Sequence, residues 1–288
     1  MKILKQCACA AAVAISFAGA ANAGQVLNNW VFNPAGSGFE NGQIVNEYLD
    51  VNGNTFMQIR PTGGASFAFT QHAAFNIVHA DTNGQLFPIN YGSIVTGILE
   101  ASGTGTYNGA ISFTSGTVRL YQGPYNFPTG SAYGGTEGIY GANVGNEIGV
   151  FEIIAGSGPV NADGAPANDG QVSLLATVRP GELDAGYFFF GNGRDVSTQP
   201  SSVNVAFSYA ATIGNPTPAM VNELACQFAR FTGNGCNGQD FSNSPDAFFV
   251  SKNGQLKLAE VPEPGSLALF GIAMLGAGLV RRKAAGPV

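Results

Sequence analysis

The chain has 288 residues, 12 Lys and Arg against 18 Asp and Glu, and only 10% charged residues. Between residues 24 and 261 there are 7 basic and 17 acidic residues, a net charge of −10, which argues against nucleic acid and anionic membrane surfaces as partners. Scattered aromatics at such low charge do not suit a disordered chain, and the length suffices for one large β domain or two small ones.

The N-terminus has the parts of an export signal. Lys2 and Lys5 precede a small, apolar stretch, and Ala21-Asn22-Ala23 forms a small-residue cleavage site. The mature chain is expected to start at Gly24, so Cys7 and Cys9 leave with the peptide. An uncleaved N-terminal anchor is the weaker alternative, because the apolar run is short.

The body alternates apolar and polar residues in SFAFTQ (66–71), GAISFTSGTVRLYQ (109–122), GVFEIIAG (149–156), VSLLATVRP (172–180) and SVNVAFSYAATI (202–213). Asn-Gly pairs stand at 41–42, 52–53, 83–84, 108–109, 192–193, 234–235, 237–238 and 253–254, and Asn-Gly suits a tight hairpin turn. AFFVSK and QLKLAEV around Asn253-Gly254 therefore predict a closing hairpin. Short strands at this spacing predict an all-β fold, an antiparallel β-sandwich of jelly-roll type. One helix is predicted over 218–231, with Thr217 as N-cap, Pro218 at the first position and a stripe of Val221, Leu224, Ala225, Phe228 and Phe231. It is expected to cover a sheet edge. Cys226 and Cys236 are the two cysteines left after export, and Gly233 and Gly235 let the chain turn back between them, so a disulfide is expected over two free thiols.

Few residues suggest chemistry. Asp50, Asn52 and Asn54 start like a calcium loop, but Thr55 and Pro61 stand where that loop needs Gly and Glu, so a turn through Asn52-Gly53 is expected instead. Asp163, Asn168 and Asp169 leave calcium open beside a solvated turn. His72 and His79 are expected on opposite faces of a straight strand, sharing no metal. Glu100, Glu137, Glu147 and Glu152 are candidates for the carboxylate pair of a glycosidase, whose spacing a sequence does not reveal. Tyr121, Tyr125, Phe127 and Tyr133, set among Gly and Pro, are candidates for stacking on sugar rings, with pinning of a long loop to the core as the alternative.

The last residues carry the most specific signal. Pro262-Glu263-Pro264 precedes an apolar run, Gly265 to Val280, and then Arg281, Arg282 and Lys283. A helix over that run would be about 24 Å long, short of a hydrocarbon core of about 30 Å, with the basic residues snorkelling and stopping it in the membrane. This order of parts resembles the PEP-CTERM sorting signal of Gram-negative bacteria. The resemblance implies transient inner-membrane insertion, recognition by an exosortase and release of the body outward. VLNNWVFNPAGSGF, VNEYLDVNGNTFMQ and FNIVHADTNG further resemble the flocculation-associated, PepA-like type, which implies a matrix role beside exopolysaccharide and carries over no catalytic residue. The expected organisation is a signal peptide (1–23), a secreted β-sandwich domain (24–259) and a sorting signal (260–288). The expected protein is not an enzyme, needs no cofactor, and reaches the cell surface or extracellular matrix. An exopolysaccharide-modifying glycoside hydrolase or lyase, and a structural surface protein that self-associates through sheet edges, are the alternatives.

Overall fold

The computed structural model describes residues 25–82, 85–88, 93–124, 138–167 and 170–261. The cleavage site Ala21, Ala23 and Gly24 and the run Gly265 to Val280 lie outside them. Among the described residues no helix is long and apolar enough to cross a membrane.

The described strands are β1 (Trp30–Phe32), β2 (Gln43–Val45), β3 (Tyr48–Gly63), β4 (Ser66–Thr82), β5 (Gln85–Pro88), β6 (Ser93–Thr106), β7 (Ala110–Pro124), β8 (Asn146–Pro159), β9 (Gly170–Leu183), β10 (Phe188–Phe189), β11 (Val203–Ile213) and β12 (Ala247–Glu260). The order β3-β12-β11-β9-β8-β7-β6-β4 closes on itself, because β3 also pairs with β4. The result is an antiparallel up-and-down barrel of eight strands, with β5 added to the end of β4. The expected sandwich is thus overturned.

The error has a physical source. The barrel strands run from 11 to 17 residues, about twice or more the usual length. Asn52-Gly53 and Asn253-Gly254, read as turns, lie inside β3 and β12. A Cβ at Gly53 would stand 2.5 Å from the Ala74 carbonyl oxygen, and one at Gly254 would stand 2.6 Å from that of Ser208. Glycine here admits a close approach of the neighbouring strand as the wall curves, not a reversal of the chain. Asn108-Gly109 does turn the chain, between β6 and β7, with Asn108 at φ 56°.

Alternation then decides what fills the barrel. Inward positions of β4 carry Phe67, Phe69 and Phe75, and their partners on β6 are Gly105, Gly103 and Gly97. A side chain at any of these glycines would collide with the ring opposite. Each buried ring contributes roughly 1.5–3 kcal/mol, and the facing glycine supplies its space. Few polar groups enter this interior. The Gln71 amide donates to the Tyr209 hydroxyl at 3.2 Å, and the Lys252 amine sits 3.8 Å above the Tyr209 ring. Burial holds that amine well below the ordinary lysine pKa. The outward positions Asn52, Asn54, Ser251 and Asn253 are polar, the reverse of a lipid-facing barrel.

Both rims are closed. At one, a small sheet in the order β10-β1-β2 brings Trp30, Phe32, Val45 and Phe188 into the barrel core, with Phe32 and Phe188 rings 5.0 Å apart. Backbone bonds from Leu27 to Leu258 and from Asn46 to Asp81 tie this cap to β12 and β4. At the other, Val160 and Ala165 bury a short loop against the core, and the Tyr107 ring lies 4.8 Å from Phe67. Asp163 accepts from the Ala165 backbone in this loop, as an ordinary turn residue does. Asn168 and Asp169 lie outside the described residues.

The pairing of rings with glycines makes a direct prediction. Gly97→Val should destabilise the barrel by about 1–3 kcal/mol through overpacking against Phe75. Adding Phe75→Ala should recover part of that loss, although Phe75→Ala alone costs about 3–5 kcal/mol. Urea unfolding of the three variants measures the coupling; strictly additive losses would contradict the pairing.

Candidate functional site

The excursion between β11 and β12 leaves the barrel and packs back on its outer wall. Thr217 caps Pro218–Met220, its hydroxyl accepting from the Met220 N–H at 3.2 Å, and the chain continues in wider π-helical turns over Val221–Phe228. Ala229 N–H donates to the Leu224 carbonyl, five residues back. The predicted stripe faces inward: Val221, Leu224 and Ala225 are buried, and Phe228 and Phe231 pack beside them. Their floor is Phe56, Ala74 and Phe249 on the outside of β3, β4 and β12. The helix therefore covers the wall and not a sheet edge. Cys226 and Cys236 are joined as a disulfide that holds the return.

His72 projects outward from β4 beneath the Phe228 ring, at 5.1 Å edge to face. Its Nδ1 is buried without a hydrogen-bond partner among the described residues. His79 also faces outward, because an irregularity in the β3–β4 register shifts the alternation by one. The expectation of opposite faces is thus corrected. His79 Nδ1 stands 3.5 Å from Asp50 Oδ2. Among the described residues no group of three or more His, Cys, Asp or Glu could hold a metal.

Of the predicted sugar-stacking residues only Tyr121 is described; Tyr125, Phe127 and Tyr133 lie outside. Tyr121 pairs across the sheet with Glu147 and donates its hydroxyl to Glu147 Oε2 at 3.0 Å, while Arg119 donates to the same oxygen at 2.8 Å. Burial, reinforced by Glu147, pushes the phenol up to about 12. Glu152 is bound by Arg179, which also binds Glu182. The carboxylates of Glu147 and Glu152 are each held by an arginine on the outer wall, Glu100 pairs across from His72, and Glu137 lies outside the described residues.

A second feature of the wall was missed by sequence reasoning. Where β3, β12, β11 and β9 run side by side, an open cleft of about 410 Å³ is lined by Tyr48, Asp50, Gln171, Ser208, Asn253 and Gln255. Its floor is the small side chains of Ser208 and Ala210, and its shoulders are longer polar groups. Tyr48 shares a side-chain hydrogen bond with Gln255, and burial together with Asp81, Asp50 and Glu47 raises its phenol pKa. Lys257, paired with Tyr48 across the strands, is held by Glu47. The signal available in the sequence was the outward set Asp50, Asn253 and Gln255, which the turns expected at Asn52-Gly53 and Asn253-Gly254 separated.

The two ends of the body meet at the capped rim. Val26 bridges to Ala259, and the Glu260 N–H donates to the Gln25 carbonyl at 2.8 Å. Glu260 ends β12, and residues 260–283 match the family described as the PEP-CTERM protein-sorting motif. The chain carries a PEP-CTERM sorting motif. Such a motif implies an exported surface protein with a membrane-associated precursor that an exosortase processes. The motif residues Pro262, Glu263 and Pro264 and the basic Arg281, Arg282 and Lys283 fall within the matched segment and outside the described residues. No curated protein and no solved structure matches the chain.

Two outcomes follow from the covered wall. Replacing Cys226 and Cys236 by Ser should cost about 2–3 kcal/mol and speed proteolysis within 214–246 before the barrel itself is cut; equal protease resistance would contradict a holding role. Burial lowers the His72 pKa, with Glu100 opposing. The unfolded chain therefore takes up this proton more readily than the folded one, and stability present at neutral pH is lost as pH falls below the ordinary histidine value of about 6.5 and through the depressed folded value. Thermal melts across that window should show a smaller decline for His72→Leu than for the parent.

Proposed function

We propose that this protein is a non-enzymatic component of the extracellular matrix that promotes flocculation or biofilm aggregation together with exopolysaccharide after exosortase processing. One observation carries the reading: the sorting motif begins on the last residue of β12, a strand of a closed, polar-walled barrel. Export then delivers a rigid body whose wall offers neutral hydrogen-bonding groups to the surroundings. Self-association through sheet edges is poorly served by this fold, because closure pairs both sides of every barrel strand. The arginine partners of Glu147 and Glu152 give the carbohydrate-cleaving alternative no particular support.

The test is settling of a deletion strain, with secreted polymer measured in the same cultures. Dispersed cells with polymer normal in amount and composition are expected, and the parent gene should restore settling. Pro262→Ala with Pro264→Ala should leave the body in the membrane fraction and fail to restore it. Polymer of altered size or composition would favour a modifying enzyme, and unchanged settling would remove the matrix role.

A further inference from the structure

We infer that the outer wall of the barrel binds an extended, uncharged glycan chain across its strands, with the cleft at Tyr48, Asp50 and Gln255 as the main subsite. The inference rests on the matrix reading above and narrows it to one surface and one class of polymer.

The cleft shares Ser208 with a second depression of about 590 Å³ that continues over β9, β8 and β7. Direct cross-strand pairs link the two: Asp50 with Gln255, Gln255 with Ser208, Ser208 with Ser173, Ser173 with Ser157, and Ser157 with Ser112. Direct partners in an antiparallel sheet project to the same face, and neighbouring strands lie about 4.8 Å apart. The wall thus presents a polar group at intervals close to the advance of one sugar ring along an extended chain. The path is long and open, and suits a polymer better than a small molecule.

The cleft is lined by amides, a phenol, a hydroxyl and one carboxylate, and by no cation. Amides donate and accept, and a carboxylate accepts from two hydroxyls, which matches a polyol. Lys257 beside it is already bound by Glu47. A phosphate, sulfate or uronate would find no lysine or arginine in the lining and would meet Asp50, whose other side faces the His79 imidazole at 3.5 Å. Ile154, 54% exposed, and Leu175 line the second depression and offer an apolar surface to the C–H face of a sugar. A peptide strand has no free barrel edge to extend in this region, since β3, β12, β11, β9 and β8 are each paired on both sides.

The experiment is affinity electrophoresis of the purified body in gels containing hydroxyethyl cellulose, or the neutral or acidic fraction of the producing cells' own surface polymer. The neutral fraction should retard the protein, and added salt should not release it. Gln255→Leu with Ser173→Val should weaken retardation at least tenfold while leaving the urea midpoint unchanged. Tyr48→Ala, tested separately, should weaken it in the same medium. Retardation by the acidic fraction alone, by no polymer, or equally for parent and folded variants overturns the inference. If the parent and the variants bind the cells' polymer equally and the deletion strain disperses, the matrix reading stands and this surface is wrong. If the wall binds the neutral fraction as expected but deletion leaves flocs intact, the surface stands and the matrix reading falls.

Discussion

The space inside an eight-stranded barrel limits everything else in this molecule. Such a cylinder is just wide enough for side chains to fill it, so large residues on one strand need small ones opposite. Phe67, Phe69 and Phe75 on β4 meet Gly105, Gly103 and Gly97 on β6. These pairs leave an interior of mostly apolar groups, and they free the outer wall to be polar. The cap with Trp30 and Phe188, and the loop with Val160 and Ala165, then close a core that would otherwise be open at both ends.

The wall, more than the interior, offers room to a ligand. The interior leaves a cavity of only about 30 Å³ beside Phe75, Tyr209 and Lys252, while wider depressions open on the wall. Part of that wall is taken by the disulfide-held excursion, whose Phe228 and Phe231 cover His72 and Phe56. Another part is occupied by the ionic groups around Arg119 and Arg179. The mainly neutral polar stretch between β3 and β7, with Asp50 at one end, is the part of the wall proposed above for recognition.

Much of this was legible beforehand. Five strand centres, the helix with its Thr217 cap and inward stripe, and the disulfide all follow from local patterns, since caps, alternation and short loops are decided by neighbouring residues. The sorting motif was legible for a different reason: its order of parts is read by an enzyme from sequence. Closure was not legible. Asn253-Gly254 has the composition of a hairpin turn, and only the Ser208 carbonyl, 46 residues from Gly254 in sequence and on the adjacent strand, shows why glycine is needed. In sequence Tyr121 stays open between stacking on a sugar and pinning a loop, because its partner Glu147 comes to it only through cross-strand pairing. The cleft residues are spread over four strands and acquire a common face only once the register is set.

The meeting of Gln25 with Glu260 gives the barrel a polarity that its circular wall lacks. The chain heading for the sorting motif departs from the rim sealed by Trp30 and its neighbours, while the turn at Asn108 and the loop at Asp163 occupy the far rim. The segment that carries the motif thus joins the barrel at its sealed end, and the flank lies to the side of that junction. A cut beyond β12 would sever no strand pairing, so the wall would keep one form before and after processing.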